Sequence, residues 1–153
     1  ILLVILISSV LCIAHTYLFY PLLMIMVFRK QKTKIAEYSS LDDLPAVAVL
    51  VAAYNEERVI AEKINSIFNT TYPISKIKVY IGSDASVDAT DEIIAQLCEK
   101  YPGLELVRFS GRVGKISIIN HLQSLGDEDI LIMTDANVIF RPDTLFELVK
   151  YFK

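Results

Sequence analysis

Residues 46–57 read Ala-Val-Ala-Val-Leu-Val-Ala-Ala-Tyr-Asn-Glu-Glu, which is the most informative stretch of the chain. Its first part, residues 46–52, is a continuous apolar run that predicts a β-strand buried on both faces. Asn55 is a favourable helix N-cap, and Glu56 and Glu57 suit the positive end of a helix dipole, so a helix is expected to follow at once. A buried strand that passes through a polar turn into a helix begins a β-α-β unit.

The same alternation continues downstream and extends this unit into a sheet. Further strands are predicted at residues 77–81, 104–109 and 129–133, a polar loop at 82–86, and further helices from about 88 to 101, over 115–125 and from 142 onward. Repeated β-α alternation predicts an α/β fold in which helices flank a mostly parallel sheet. Ligands of such sheets bind outside the carboxyl ends of the strands.

The first 28 residues form a separate apolar segment, in which His15 is the only acidic or basic side chain. About 20 apolar residues suffice to cross the hydrocarbon core as a helix, so residues 1–28 predict one transmembrane helix. Pro21 is expected to kink it, because proline removes one i to i−4 hydrogen bond. His15 is either a functional group within the membrane or a neutral imidazole that contacts another helix. The second interpretation is favoured because no other intramembrane polar group has the spacing of a relay.

A basic flank follows the apolar segment directly, at Arg29, Lys30, Lys32 and Lys34. The positive-inside rule therefore predicts a protein of the inner or plasma membrane whose remaining residues are cytoplasmic. Residues 29–45 are interpreted as this basic flank and a linker. The chain has 153 residues and a net charge of −3, and this lack of a basic surface argues against nucleic acid as a partner. The two cysteines are far apart and predict neither a disulfide nor a metal site.

Polar side chains follow three of the predicted strands at the point where each strand ends. They are Tyr54-Asn55-Glu56 after the first strand, Ser83-Asp84 after the second and Asp135-Ala136-Asn137 after the fourth. Because the carboxyl ends of parallel strands share one edge of a sheet, these turns are expected to meet there. A rim of carboxylates, one lysine and helix N-termini can hold a nucleotide diphosphate, and an Asp-x-Asp-like turn can hold a divalent ion beside it.

Residues 111–115, Gly-Arg-Val-Gly-Lys, supply a flexible loop, a helix start and that lysine. The glycine spacing, and the lack of Ser or Thr after Lys115, distinguish this loop from a P-loop. The first strand is not followed by Gly-x-Gly-x-x-Gly, which argues against a dinucleotide site.

Four segments resemble the family 2 glycosyltransferases of GT-A (Rossmann-like) fold, in the order in which that family has them. They are Ala-Ala-Tyr-Asn-Glu-Glu at 52–57, Gly-Ser-Asp-Ala-Ser-Val-Asp-Ala-Thr at 82–90, Gly114-Lys115 with Asn120 downstream, and Thr-Asp-Ala-Asn at 134–137. Each segment alone also fits an ordinary strand exit or turn, whereas the four together are specific. Residues 46–153 are therefore interpreted as the nucleotide-sugar-binding part of a GT-A domain. The segment that contains Tyr20 and Pro21, with its basic flank, resembles membrane-anchored members of the family.

The resemblance implies a role for each matching position. Tyr54 and Glu56 would line the nucleotide pocket, and Asp84 would contact the base. Lys115 would face the diphosphate, and Asp135 would approach the ribose and the diphosphate.

The resemblance also implies a divalent metal cofactor, Mn²⁺ or Mg²⁺, held by Asp135 and Asn137. Two residues depart from the family pattern. Ser83 replaces the first Asp of Asp-Asp-x-Ser, and Asn137 offers a neutral oxygen where the Asp-x-Asp motif has a carboxylate. Metal binding is therefore less firmly implied than nucleotide binding.

The implied function is a membrane-bound glycosyltransferase that moves a sugar, with inversion, from a nucleotide-diphosphate sugar to a glycan or lipid-linked acceptor. The family's general base and its Gln-x-x-Arg-Trp motif are expected beyond Lys153, so residues 1–153 alone are expected to be inactive. One alternative is a catalytically inactive, membrane-tethered nucleotide-sugar-binding module, which Asn137 favours. Another is a nucleotidyltransferase, but that class usually has a Gly-rich basic turn after the first strand.

Overall fold

The computed structural model describes residues 1–29, 38 and 40–152. The chain divides into two compact units, Ile1–Lys34 and Ile35–Lys153. Most of the basic flank predicted from the sequence lies outside the described residues, namely Lys30, Lys32 and Lys34. Residues 35–37 of the linker also lie outside them.

The N-terminal unit contains a helical run, Leu2–Phe28, in which His15 is the only acidic or basic side chain. Helix α1 (Leu2–Ala14) and helix α2 (Tyr20–Phe28) are joined by one π-helical stretch, His15–Phe19. The run of 27 residues has a mean hydropathy of 2.3 and buries no side chain within the unit. By length and composition it can cross a membrane. The π-helical stretch ends directly before Tyr20 and Pro21, where the proline ring and its missing N–H disturb regular α-helical bonding.

Parallel strands build the sheet of the second unit. They are β1 (Val47–Ala53), β2 (Ile77–Ser83), β3 (Leu104–Arg108) and β4 (Ile130–Asp135), in the order β3-β2-β1-β4. Val47 pairs with Ile77 on one side and with Ile130 on the other, so the strands run in step and end at one edge. The predicted α/β fold with a parallel sheet is confirmed. The apolar run of β1 is explained by its central position, with a helix layer on each face.

Helices cover both faces of this sheet. They are α3 (Ile60–Phe68), α4 (Thr90–Lys100), α5 (Lys115–Gln123) and α6 (Thr144–Val149). On one face, alternate β1 residues such as Val49 pack with apolar residues of α3, α4 and α6. On the other face, Leu50 packs with Ile118 and Leu122 of α5. Each fully buried aliphatic side chain contributes roughly 1.5–3 kcal/mol, so these two clusters hold the helices on the sheet.

Two local predictions are wrong, and both concern strand ends. Helix α3 begins at Ile60 rather than directly after Asn55, because Asn55 has a left-handed backbone with φ of 55° and does not cap a helix. Gly82 and Ser83 belong to β2 rather than to a loop, because the parallel pairing with β1 continues through them.

Candidate functional site

A cleft of about 420 Å³ opens at the carboxyl ends of β1, β2 and β4. Its lining contains all the site residues predicted from the sequence: Tyr54, Glu56, Asp84, Lys115, Asp135 and Asn137. The parallel register places the ends of the three strands side by side, which brings together turns that are distant along the chain. The structure thus gives these side chains one shared location, while their binding roles remain predictions.

Asp84 is the most buried carboxylate of the cleft lining, only 4% exposed and surrounded by donors. One oxygen accepts the backbone N–H of Val113 at 2.7 Å, and both accept that of Gly114 at 3.3 Å. Arg112 adds an ion pair, with 3.2 Å between its Nε and the second carboxylate oxygen. The Val113 bond, with those of Gly114 and Arg112, lowers the pKa of Asp84 against the opposing effect of burial. Asp84 is therefore ionised and fixes the loop of residues 111–114.

Arg112 is a cleft residue that sequence reasoning missed. Its guanidinium carbon lies 3.5 Å from the centroid of the Tyr54 ring, in a cation–π contact between two residues of the cleft lining. Gly111 and Gly114 predict a flexible loop around it, but nothing in the sequence indicates that the loop reaches Tyr54. Asp84 binds Arg112 and the backbone of the loop, and these bonds hold the loop where Arg112 meets Tyr54.

The turn after β1 and the turn after β2 are locked together by hydrogen bonds. The donor and acceptor pairs are Asn55 N–H to Ser86 Oγ, Glu56 N–H to Thr90 Oγ1, Glu57 N–H to Asp88 Oδ2, Val87 N–H to Asn55 Oδ1, and Ala89 N–H to Glu57 Oε2, all between 2.8 and 3.2 Å. Asn55 and Glu57 therefore join the two turns and are not part of the cleft lining. This leaves Tyr54 and Glu56 as the residues of the first turn that line the cleft.

Lys115 and Asp135, which both line the cleft, form an ion pair. Lys115 is the first residue of α5, and Asp135 is the last residue of β4. Both side chains are more than half exposed, at 60% and 58%. Exposed pairs contribute about 0–1 kcal/mol, so an anionic ligand or a cation can replace either partner at little cost.

The turn after β4 has a donor set that fits a divalent ion only in part. Asp135 offers a carboxylate and Asn137 an amide oxygen, and both are exposed. Within residues 1–29, 38 and 40–152, no group of three or more His, Cys, Asp or Glu residues is arranged to hold a metal ion. Mg²⁺-type ions are commonly held by one or two carboxylates together with phosphate oxygens and water. The residues present therefore fit an ion that is completed by a bound diphosphate.

Lys63 is a second residue that sequence reasoning missed. It is fully buried on α3, and its ammonium donates to Thr134 Oγ1 at 3.0 Å and to the Val138 carbonyl. Burial lowers its pKa from 10.5 to about 8, and the charge of Asp135 opposes this shift. The sequence contained a signal, because Lys63 shares the apolar stripe of α3, three residues after Ile60 and four before Ile67.

Sequence comparisons find relatives over most of the chain. The profile of the family described as Glycosyl transferase family 2 matches residues 48–153. A beta-monoglucosyldiacylglycerol synthase of Nostoc sp. is 36% identical over 112 residues, which are 72% of this chain and 24% of that enzyme. The hyaluronan synthase of Streptococcus pyogenes is 30% identical over 146 residues, which are 90% of this chain and 32% of that enzyme. The chain thus spans about a quarter to a third of the length of these relatives.

Solved structures with the same fold include a mannosyltransferase of Pyrobaculum calidifontis in complex with GDP-Man and Mn²⁺. It superposes with a TM-score of 0.77 at 28% identity, over 92% of this chain and 42% of that chain. TarS of S. aureus superposes with a TM-score of 0.62 at 21% identity over 67% of this chain and 31% of that chain, which shows the fold alone. The parallel sheet, these neighbours and the profile match over more than half of the residues show that the chain belongs to glycosyl transferase family 2 and has the GT-A fold.

Proposed function

We propose that the chain is the donor-binding part of a membrane-bound glycosyltransferase that transfers a sugar, with inversion, from a nucleotide-diphosphate sugar to a glycan or lipid-linked acceptor. The single cleft that gathers Tyr54, Asp84, Lys115 and Asp135 carries this proposal. The names of the relatives support it, because one makes a glucosylated lipid and another makes hyaluronan. The neighbour solved with GDP-Man and Mn²⁺ supports the donor class.

Two groups of cleft residues suit the two ends of such a donor. At one end, the ring of Tyr54 offers a flat surface and Asp84 offers carboxylate oxygens to the N–H groups of a base. Arg112 covers that ring and binds Asp84 in the free protein, so base binding requires Arg112 to move or to share its partners. At the other end, Lys115 can donate to the diphosphate once its pair with Asp135 opens.

A divalent ion, when bound, would be held by Asp135 and Asn137 and would supply positive charge next to the leaving diphosphate. Lys115 supplies a second positive charge from the start of α5. The Lys115 ammonium would favour departure of the diphosphate, because it would stabilise the negative charge that develops there.

The proposed location is the membrane, with the GT-A unit on the cytoplasmic side. The apolar run Leu2–Phe28 is long enough to span a bilayer, and Arg29 follows it directly. Cytoplasmic placement follows from the positive-inside rule and gives the cleft access to cytoplasmic sugar nucleotides.

Calorimetry on the chain in detergent micelles tests donor binding, with UDP and GDP titrated in the presence and absence of Mn²⁺. We expect one nucleotide to bind, and Asp84→Asn to weaken it at least about tenfold, because the variant loses a charged acceptor. Glu105→Gln is the matched control, since it removes one carboxylate charge on β3 outside the cleft lining. The proposal fails if neither nucleotide binds, or if the control loses as much affinity as Asp84→Asn.

Asn137 supports a second candidate function, a donor-binding module without catalysis, because it weakens the metal-binding turn. Both candidates predict nucleotide binding. They differ in the transfer of a radiolabelled sugar from donor to membrane lipid or glycan by the intact protein, which the enzyme performs and the module does not.

A further inference from the structure

Lys63 is a charged residue at a fully buried position, where helix packing alone does not require a charge. It lies on the buried stripe of α3, between isoleucines that pack against the sheet. Its contacts are a hydroxyl, a carbonyl and an aromatic ring, and the ammonium sits 3.8 Å from the Phe140 ring centroid. Burying an ammonium is costly unless hydrogen bonds compensate, and an apolar side chain would fill the same space without that cost.

The ammonium of Lys63 binds both ends of one turn. Its two hydrogen-bond acceptors, Thr134 and Val138, stand immediately before Asp135 and immediately after Asn137. The turn is closed only weakly from within, by the Val138 N–H that donates to the Asp135 carbonyl at 3.3 Å. Helix α3 thus clamps the segment that carries both candidate metal ligands.

A second contact from α3 supports the same segment. The Phe140 N–H donates to Ser66 Oγ at 3.1 Å, and Ser66 lies one helical turn after Lys63. Two neighbouring positions of one helix therefore hold the strand exit from residue 134 to residue 140. Asp135, whose charge acts on Lys63, remains exposed on the cleft side of the turn.

We propose that Lys63 is a positioning residue: its buried ammonium fixes the turn that presents Asp135 and Asn137 to the metal–diphosphate end of the donor. The inference rests on the proposed function for the purpose of the turn, while the clamp itself is a property of the free protein. Loss of the clamp should weaken the metal-dependent part of donor binding and spare the part that depends on Tyr54 and Asp84.

The test uses the whole chain in detergent micelles and compares three variants with the wild type. Lys63→Met removes the ammonium, and Thr134→Val removes one acceptor without changing the shape of the side chain. Lys76→Met is the matched control, because Lys76 also donates to two backbone carbonyls, those of Asp42 and Leu44, away from the cleft.

Hydrogen exchange of the Val138 amide in the free protein measures directly how firmly the turn is held, because this amide donates within the turn. We expect exchange to rise at least about tenfold in Lys63→Met and Thr134→Val and to stay unchanged in Lys76→Met. The second readout is the ratio of GDP or UDP affinity with Mn²⁺ to that with EDTA. We expect this ratio to fall at least about tenfold in the same two variants, with the affinity in EDTA retained.

If exchange of the Val138 amide is unchanged in both Lys63→Met and Thr134→Val, Lys63 does not hold the turn, whether or not any nucleotide binds. A loosened turn with an unchanged Mn²⁺-to-EDTA ratio would overturn the positioning role. Failure of the wild type to bind any nucleotide would defeat the proposed function, and with it the metal–diphosphate role, while the exchange data still decide whether Lys63 holds the turn. If Lys63→Met does not fold, Thr134→Val alone decides both readouts.

Discussion

Two backbone angles shape the rim of the cleft at the scale of single residues. Asn55 and Ala85 both have positive φ, of 55° and 57°. Asn tolerates this region, whereas a left-handed backbone costs an alanine about 1–2 kcal/mol. Ala85 directly follows Asp84, so the strain lies next to the carboxylate that organises the 111–114 loop.

Ala85→Gly is therefore expected to stabilise the protein by about 0.5–1 kcal/mol, after the larger unfolded-state entropy of glycine is subtracted. Ala95→Gly is the matched control, because Ala95 is exposed in the interior of α4 and its replacement should cost about 1 kcal/mol. Urea unfolding of the chain in micelles measures both changes. Destabilisation by Ala85→Gly would show that the left-handed angle carries no strain.

The buried charge of Lys63 predicts an alkaline rise in stability. Burial lowers its pKa from the ordinary 10.5 to about 8 in the folded chain, so the unfolded chain binds more protons between these two pH values. The free energy of unfolding should therefore increase with pH across that window, by up to about 3 kcal/mol. The free-energy cost of burying the charged Lys63 ammonium is fully present below pH 8 and is removed above pH 10.5.

The measurement is the difference in unfolding free energy between the wild type and Lys63→Met, taken from pH 7 to pH 10.5. It should be constant near pH 7 and then rise in favour of the wild type. A flat difference over the whole range would contradict the buried, charged state of Lys63 at neutral pH.

At the scale of elements, the approach of α5 to the sheet depends on Gly82. A Cβ added there would lie 2.2 Å from Ile118 Cγ2, inside the contact between β2 and α5. Gly82→Ala should cost about 1–3 kcal/mol by overpacking, and should weaken nucleotide binding because α5 begins with Lys115.

Gly111→Ala is the control for Gly82→Ala, because a Cβ at Gly111 meets nothing within 4 Å. Its effect on the free energy of unfolding should stay within about 0.5 kcal/mol. Unfolding curves and calorimetry compare the two variants. Equal stability of Gly82→Ala and wild type would contradict close packing of α5 on β2.

The existence of the elements was predictable, because apolar runs and helical stripes report burial directly. The run 46–52 identifies the central strand, and Ile60, Ile64 and Ile67 identify the inner face of α3. The start of α3 was not predictable from the residues after β1, because Asn55 resembles an N-cap until its partner Val87 is known.

In the candidate site, too, some residues were predictable from the sequence and others were not. Asp84 and Asp135 stand at predictable strand ends, so the topology alone brings them to one edge. The apolar stripe of α3 indicates the burial of Lys63, but its contacts with the turn after β4, like the contact of Arg112 with Tyr54, are tertiary and are not encoded by a local pattern. Long-range contacts of exposed or unusual charges are therefore the part that requires a structure.

At the scale of the whole molecule, an apolar helical unit precedes a GT-A unit whose cleft lies at the ends of three strands. The carboxyl edge holds the charged cleft, whereas loops 101–103 and 126–129 precede β3 and β4 and lie at the amino ends of the strands. The loops at the amino ends of the strands therefore serve as an internal control for ligand binding at the carboxyl edge.

Hydrogen–deuterium exchange of the whole chain in micelles, with and without GDP or UDP plus Mn²⁺, tests the shared cleft most directly. The proposed donor site predicts protection in residues 54–58, 84–90, 111–115 and 135–138, and no change in loops 101–103 and 126–129. Protection confined to one of the four cleft segments, or centred on the amino-end loops, would contradict a single donor cleft at the carboxyl edge.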